Sequence, residues 1–115
     1  MDKSVTQTVT IGAGASLSSA STKYPGYRLV GVVTASTWDA AKMTFMVSND
    51  GTNFFDLLDT TGTEYELAAI TAAKAAAVDG ALLIPWDYVK VRSGTSAAAT
   101  NQVDATIVTL VFYRM

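Results

Sequence analysis

Cysteine and histidine are both missing from this 115-residue chain. Without cysteine there is no disulfide, thiolate nucleophile, iron–sulfur cluster or cysteine-held zinc. Without histidine no imidazole serves as base or ligand, and a Ser-His-Asp triad cannot be assembled. Charge is sparse, at 16% of residues, and the formal balance of −2 with no basic run argues against a nucleic-acid partner. No apolar run approaches the ~20 residues of a membrane-crossing helix, because Thr71, Lys74, Asp79 and Gly80 interrupt the alanine-rich stretch from Ala68 to Ala81. The opening residues, Met1-Asp2-Lys3-Ser4-Val5-Thr6, lack the basic-then-apolar layout of a secretory signal. The expectation is a non-enzymatic protein with no cofactor and no bound metal, made in a cytosol and not exported by a cleavable leader.

Half of the residues are hydrophobic, and the length suits one core, so a single domain over 1–115 is expected. Short runs of Val, Thr and aromatic residues alternate with clusters of Gly, Asn, Asp, Ser and Pro, which is strand-and-turn patterning. Val5, Val9 and Ile11 share one parity and Thr6, Thr8 and Thr10 the other, predicting a strand with a solvated Thr face. Arg28 to Thr34 reads as a strand buried on both sides around Gly31. Lys42 to Ser48 reads as a strand with Met43, Phe45 and Val47 inward.

Asn49-Asp50-Gly51 is a reverse-turn signal, and Phe54 to Leu58 is the return strand of that hairpin. Glu64 to Ala69, Leu82 to Ile84 and Tyr88 to Ser93 read as further strands, and Val103 to Tyr113 as the longest, with neither face polar. Ile70 to Ala77 reads as a loop with one helical turn at most. Gly12 to Thr22 and Ser93 to Asn101 read as small-residue segments, either plain loops or contact arms that order on docking. About eight strands with turns at roughly ten-residue spacing, and no βαβ alternation, predict an all-β antiparallel sandwich of jelly-roll type.

Candidate chemistry is thin. The loop Asn49–Asn53 with Asp56 and Asp59 is oxygen-rich, but counting from Asp50 puts Thr61 where a calcium loop needs its bidentate Glu. The acidic residues mark no pair at the spacing glycoside hydrolysis needs. Gly12-Ala13-Gly14 lacks the third glycine and the helix of a nucleotide loop. The aromatics offer more. Tyr24 and Tyr27 bracket Pro25-Gly26, Trp38 precedes a strand, and Trp86 sits at a corner beside Pro85. They are candidates for a protein interface or for stacking on sugar rings, against the plainer reading that the tryptophans close the ends of the core.

The stretch Ser36-Thr37-Trp38-Asp39-Ala40-Ala41-Lys42-Met43-Thr44-Phe45-Met46-Val47-Ser48-Asn49-Asp50-Gly51-Thr52-Asn53-Phe54-Phe55-Asp56-Leu57 resembles a pattern of small tailed-phage virion structural proteins. There a Trp and small residues lead into a strand, and Ser-x-Asp-Gly-x-x-Phe makes a hairpin. An Asp-x-x-Gly-x-Glu turn follows, matched here by Asp59-Thr60-Thr61-Gly62-Thr63-Glu64. Ile84-Pro85-Trp86-Asp87-Tyr88-Val89-Lys90-Val91-Arg92-Ser93-Gly94-Thr95 resembles a second strand and loop of the same pattern.

The resemblance covers somewhat under half the chain and implies a jelly-roll or discoidin-like sandwich that works by assembly. It implies a head decoration (cement) subunit, or a neck or tail accessory subunit, and brings no catalytic residues. The implied partners are major capsid or neck and tail proteins and further copies of the chain, with no nucleic acid and no membrane. The implied location is the virion, assembled in the host cytoplasm. A small carbohydrate-binding module is the alternative outside that class.

Overall fold

The computed structural model describes residues 3–115, so the leader reading at Met1 and Asp2 lies outside it. Nine strands form: β1 (Ser4–Ile11), β2 (Ser21–Thr22), β3 (Tyr27–Thr34), β4 (Ala41–Ser48), β5 (Phe55–Asp56), β6 (Glu66–Ile70), β7 (Ala75–Ala77), β8 (Tyr88–Ser93) and β9 (Thr106–Arg114). They make two antiparallel sheets. One runs β1-β9-β3-β7; the other runs β2-β8-β4-β5, with β6 also paired to β4. The first strand pairs with the last, the second with the second-last, and so inward to the β4 hairpin. That nesting is jelly-roll topology, as the alternating patterns predict.

The packed interior follows the predicted parities in β1 and β4. Val9 and Ile11 of β1, Leu29 and Val32 of β3, Met43, Phe45 and Val47 of β4, Val89 and Val91 of β8, and Val108, Leu110 and Phe112 of β9 are all buried. The strand read as apolar on both sides, β9, buries only one of them. Thr106, Val108, Leu110 and Phe112 face in, while Ile107 and Tyr113 are exposed on the outer face. In β3 a register shift between Leu29 and Gly31 rotates the chain, so Val30, Gly31 and Val33 stay half-buried.

Two of the predicted elements are replaced by others. Leu82 to Ile84 is not a strand; Gly80–Leu83 is a 3-10 turn capped by Asp79, whose side chain accepts from the Ala81 N–H. The turn lies so close to β3 that a Cβ on Gly80 would stand 2.6 Å from the Leu29 carbonyl oxygen. Ile70 to Ala77 contains no helical turn; β6 ends at Ile70 and Ala75–Ala77 adds an edge strand to β3. Pairing with β3 outweighs the helix preference of alanine, since the segment is too short to make a stable helix of its own.

Gly12 to Thr22 holds the short strand β2 and is tied down along its length. Gly14 N–H donates to Gln102 O, Ser18 N–H to Val91 O, and Ser19 N–H to Thr10 O. The Ser93–Asn101 segment closes on itself through Thr100 N–H to Ser93 O and reaches β4 through Gly94 N–H to Lys42 O. Both segments are bonded parts of the sandwich before any partner arrives.

Candidate functional site

The four aromatic candidates fall in different places. Trp38 is a core residue, 3% exposed, with its indole Nε1–H donating to the Ile70 carbonyl at 2.9 Å. It has no face left for stacking or docking and leaves the candidate set. Tyr27 packs against the core. Tyr24 is 41% exposed and stands edge-on to Tyr27, ring centroids 5.9 Å apart, and to Phe112 at 6.1 Å. This trio closes one end of the interior, an arrangement that suits the ring quadrupoles. Trp86 is half-buried at the corner after the 3-10 turn and shares the lining of a small cavity with Phe112.

Around Trp86 the interior opens to the surface. Val47, Phe55, Leu57, Leu58, Leu82, Pro85 and Trp86 line a cleft of about 410 Å³, with Asp56, Asp59 and Thr60 also in its wall. Its origin is a matter of register. Phe55 pairs with the buried Val47, so it shares the inward parity of β4. The edge strand β5 is two residues long, and nothing from the other sheet covers Phe55 there, leaving it 64% exposed. Leu57 N–H donates to Phe45 O and the Leu57 side chain is buried, whereas Leu58 is 50% exposed. Large apolar side chains at a concave, aromatic-lined mouth are the material of contact sites.

Phe55 and Leu58 were hidden in the sequence by alternation, since a return strand over Phe54–Leu58 gives no sign of where the opposite sheet stops. Two adjacent phenylalanines followed by Asp-Leu-Leu were the available signal, being more apolar groups than one strand face can bury.

Beside the cleft stands a polar cluster. The Arg92 guanidinium is buried on β8, 2.9 Å from Asp56 Oδ1 by its Nη1, and Nη2 is hydrogen-bonded to Glu64 Oε2. Its Nε donates to Thr44 Oγ1 at 3.0 Å, and that hydroxyl donates to Gly94 O at 2.8 Å. The Asp56 carboxyl is held below the usual carboxylate range by a side-chain hydrogen bond from Ser96 first, against the opposing effect of burial, with Arg92 adding a hydrogen bond and its charge. The two carboxylates thus face one cation and serve to tie the β5–β6 connection and the 94–100 loop over the outer face of the β4 sheet.

The Asp50 and Asp59 carboxyls are lowered by turn hydrogen bonds. For Asp50 the Asn53 and Thr52 N–H groups lead; for Asp59 the Thr61 hydroxyl and N–H lead. Both are turn-stabilising groups of the kind Asp supplies by bonding its own backbone two residues on. Among the described residues no group of three or more acidic residues stands together as a metal site.

No known family profile matches the chain, and no curated protein matches it. Solved structures of similar outline include the SPBc2 prophage-derived protein YomS, at 12% identity and TM-score 0.48 over 97% of this chain and 96% of that one. The Yersinia pseudotuberculosis-derived mitogen aligns at 12% identity and TM-score 0.41 over 100% of this chain and 88% of that one. A Bacillus endospore appendage protein aligns at 15% identity and TM-score 0.32, over 100% and 91%.

Proposed function

We propose that this chain is a non-enzymatic structural protein of a bacteriophage virion, a head decoration subunit that stabilises the shell through protein–protein contacts. The observation that carries the reading is the apolar cleft, where Phe55 and Leu58 stand exposed around Trp86. Support comes also from the jelly-roll arrangement and from the resemblance of Ser36–Leu57, Asp59–Glu64 and Ile84–Thr95 to small virion proteins. In this role the cleft accepts an apolar side chain from a neighbouring shell protein. Many copies on a symmetric lattice then turn modest contacts into a large collective effect.

The test is to purify particles and count copies. Hundreds per particle support a shell position, and about a dozen move the chain to the neck or tail. Absence from the particle ends the virion reading. The double substitution Phe55→Ser with Leu58→Ser should abolish incorporation and lower the heat resistance of the particles while leaving the isolated fold intact. A second reading, carbohydrate binding, is favoured by one observation: Trp86 lies in a concave site that also includes Asp56, Asp59 and Thr60. A glycan array comparing the wild type with Trp86→Ala decides it, and no signal on any glycan removes it.

A further inference from the structure

We propose that β1 is a docking edge for a second copy of this chain, the two β1 strands pairing antiparallel across a twofold axis. The inference rests on the sheet edges and stands apart from the virion reading. An open edge strand invites pairing with another chain, and proteins blunt such edges by keeping them short, bulged, charged or interrupted by proline. The other edges here are blunted. The strands β2 and β5 are two residues each and β7 is three, while β6 meets β4 with a register shift between Ala41 and Met43.

By contrast, β1 is eight residues long and pairs one-to-one with β9 from Ser4↔Tyr113 to Ile11↔Thr106, without a bulge. It stands at the end of its sheet, and Ser4 to Ile11 contains no proline and no charged residue. The orientation of its backbone is set by two contacts. Lys3 O accepts from Arg114 N–H, on the β9 side, whereas Thr10 O accepts from Ser19 N–H and Thr10 N–H donates to Ser19 Oγ, on the open side. Even-numbered residues therefore direct their backbone groups outward. Thr10 is satisfied by Ser19, which leaves the N–H and C=O of Ser4, Thr6 and Thr8 as the open row.

That row is its own complement. With Thr6 opposite Thr6 of the second copy, Ser4 falls opposite Thr8 and Thr8 opposite Ser4. Each is a pair that exchanges both bonds, roughly six in all. The occupied Thr10 is not needed. On the outer face the register continues a surface without charge: Thr6, Val111, Gly31 and Ala77 lie across one row, and Thr8, Thr109, Val33 and Ala75 across the next. Threonines facing one another across strands are favourable pairs. An uncharged strand gives no hold to an acidic or basic peptide, and a second copy satisfies every open group.

Sedimentation of the full chain over a concentration series should show the mass rising from 12.1 kDa to about twice that. A single 12.1 kDa species at millimolar concentration overturns the proposal. Thr6→Pro removes an outward N–H and leaves the β9 ladder untouched, so it should abolish the dimer with unchanged circular dichroism; a dimer that persists overturns the pairing. The chain has no cysteine of its own, which makes Thr6→Cys a clean reporter. Two copies of residue 6 would have Cα atoms about 5.5 Å apart, within disulfide range, and should cross-link on oxidation. Thr8→Cys should not, because its partner is Ser4. Equal cross-linking of both variants, or of neither, overturns the register.

Discussion

Phe45 and Gln102 are both fully buried, and they hold the molecule by opposite means. Phe45 is inward on the central strand β4 and lies stacked with Tyr65, ring centroids 6.1 Å apart. Replacing it by Ala should cost about 3–5 kcal/mol, as for other buried aromatics, read from denaturant unfolding; a change near zero would put that side chain on the surface. Gln102 works by hydrogen bonds. Its Oε1 accepts from Asp39 N–H at 2.6 Å, and its Nε2 donates to Asp39 O at 3.0 Å and to Ser93 Oγ at 2.8 Å. Its backbone bonds Ala15 O and Gly14 N–H. Side chain and backbone of this one residue thus tie together the segments at Gly14–Ala15, Asp39 and Ser93. Gln102→Leu keeps the volume but strands the Asp39 backbone groups, so a loss of about 1–3 kcal/mol is expected in the same assay. Phe45 was legible from parity. Gln102 was not, because a glutamine at the end of a small-residue loop gives no local sign of the loops folded around it.

The turns between strands show how far local chemistry reaches. Asn49-Asp50-Gly51 turns where its residue types require, with Gly51 at φ 77°, a backbone region that favours glycine. Asp50 caps the turn, accepting from the N–H groups of Thr52 and Asn53, each at 2.8 Å. The connection from β6 to β7, which passes from one sheet to the other, was unreadable by the same rules. It turns at Ala73 with φ 56°, where no glycine or asparagine marks the position. The turn is set by Thr34, whose hydroxyl accepts from Lys74 N–H at 3.0 Å and donates to Thr71 O at 2.8 Å. Ala73→Gly relieves the left-handed conformation, which costs an L-residue roughly 1–2 kcal/mol, against a smaller entropic loss for glycine. A gain of about 0.5–1 kcal/mol should appear as a higher melting temperature.

For the molecule taken together, acid is the informative variable. The carboxyls of Asp50, Asp56 and Asp59 are all lowered from an ordinary value of 3.8 by hydrogen bonds formed only on folding. The stability they contribute is fully present above that ordinary value. As pH falls below it, the unfolded chain takes up protons first, and the contribution is lost as pH descends toward the folded values. Thermal unfolding from pH 6 to pH 2 should show the melting temperature falling below about pH 4, with a shallower fall for Asp50→Asn; identical slopes would remove Asp50 from the account.

Strand parity, turn residues and the want of histidine and cysteine were settled by residue order alone, because alternation and turn chemistry act between near neighbours. The folded arrangement decided the rest. Which apolar side chains stay exposed, as Phe55 does, depends on where the opposite sheet ends. That Arg92 is buried between Asp56 and Glu64, and that β1 keeps an open edge, depends on contacts between segments far apart in the chain, where local pattern carries no information.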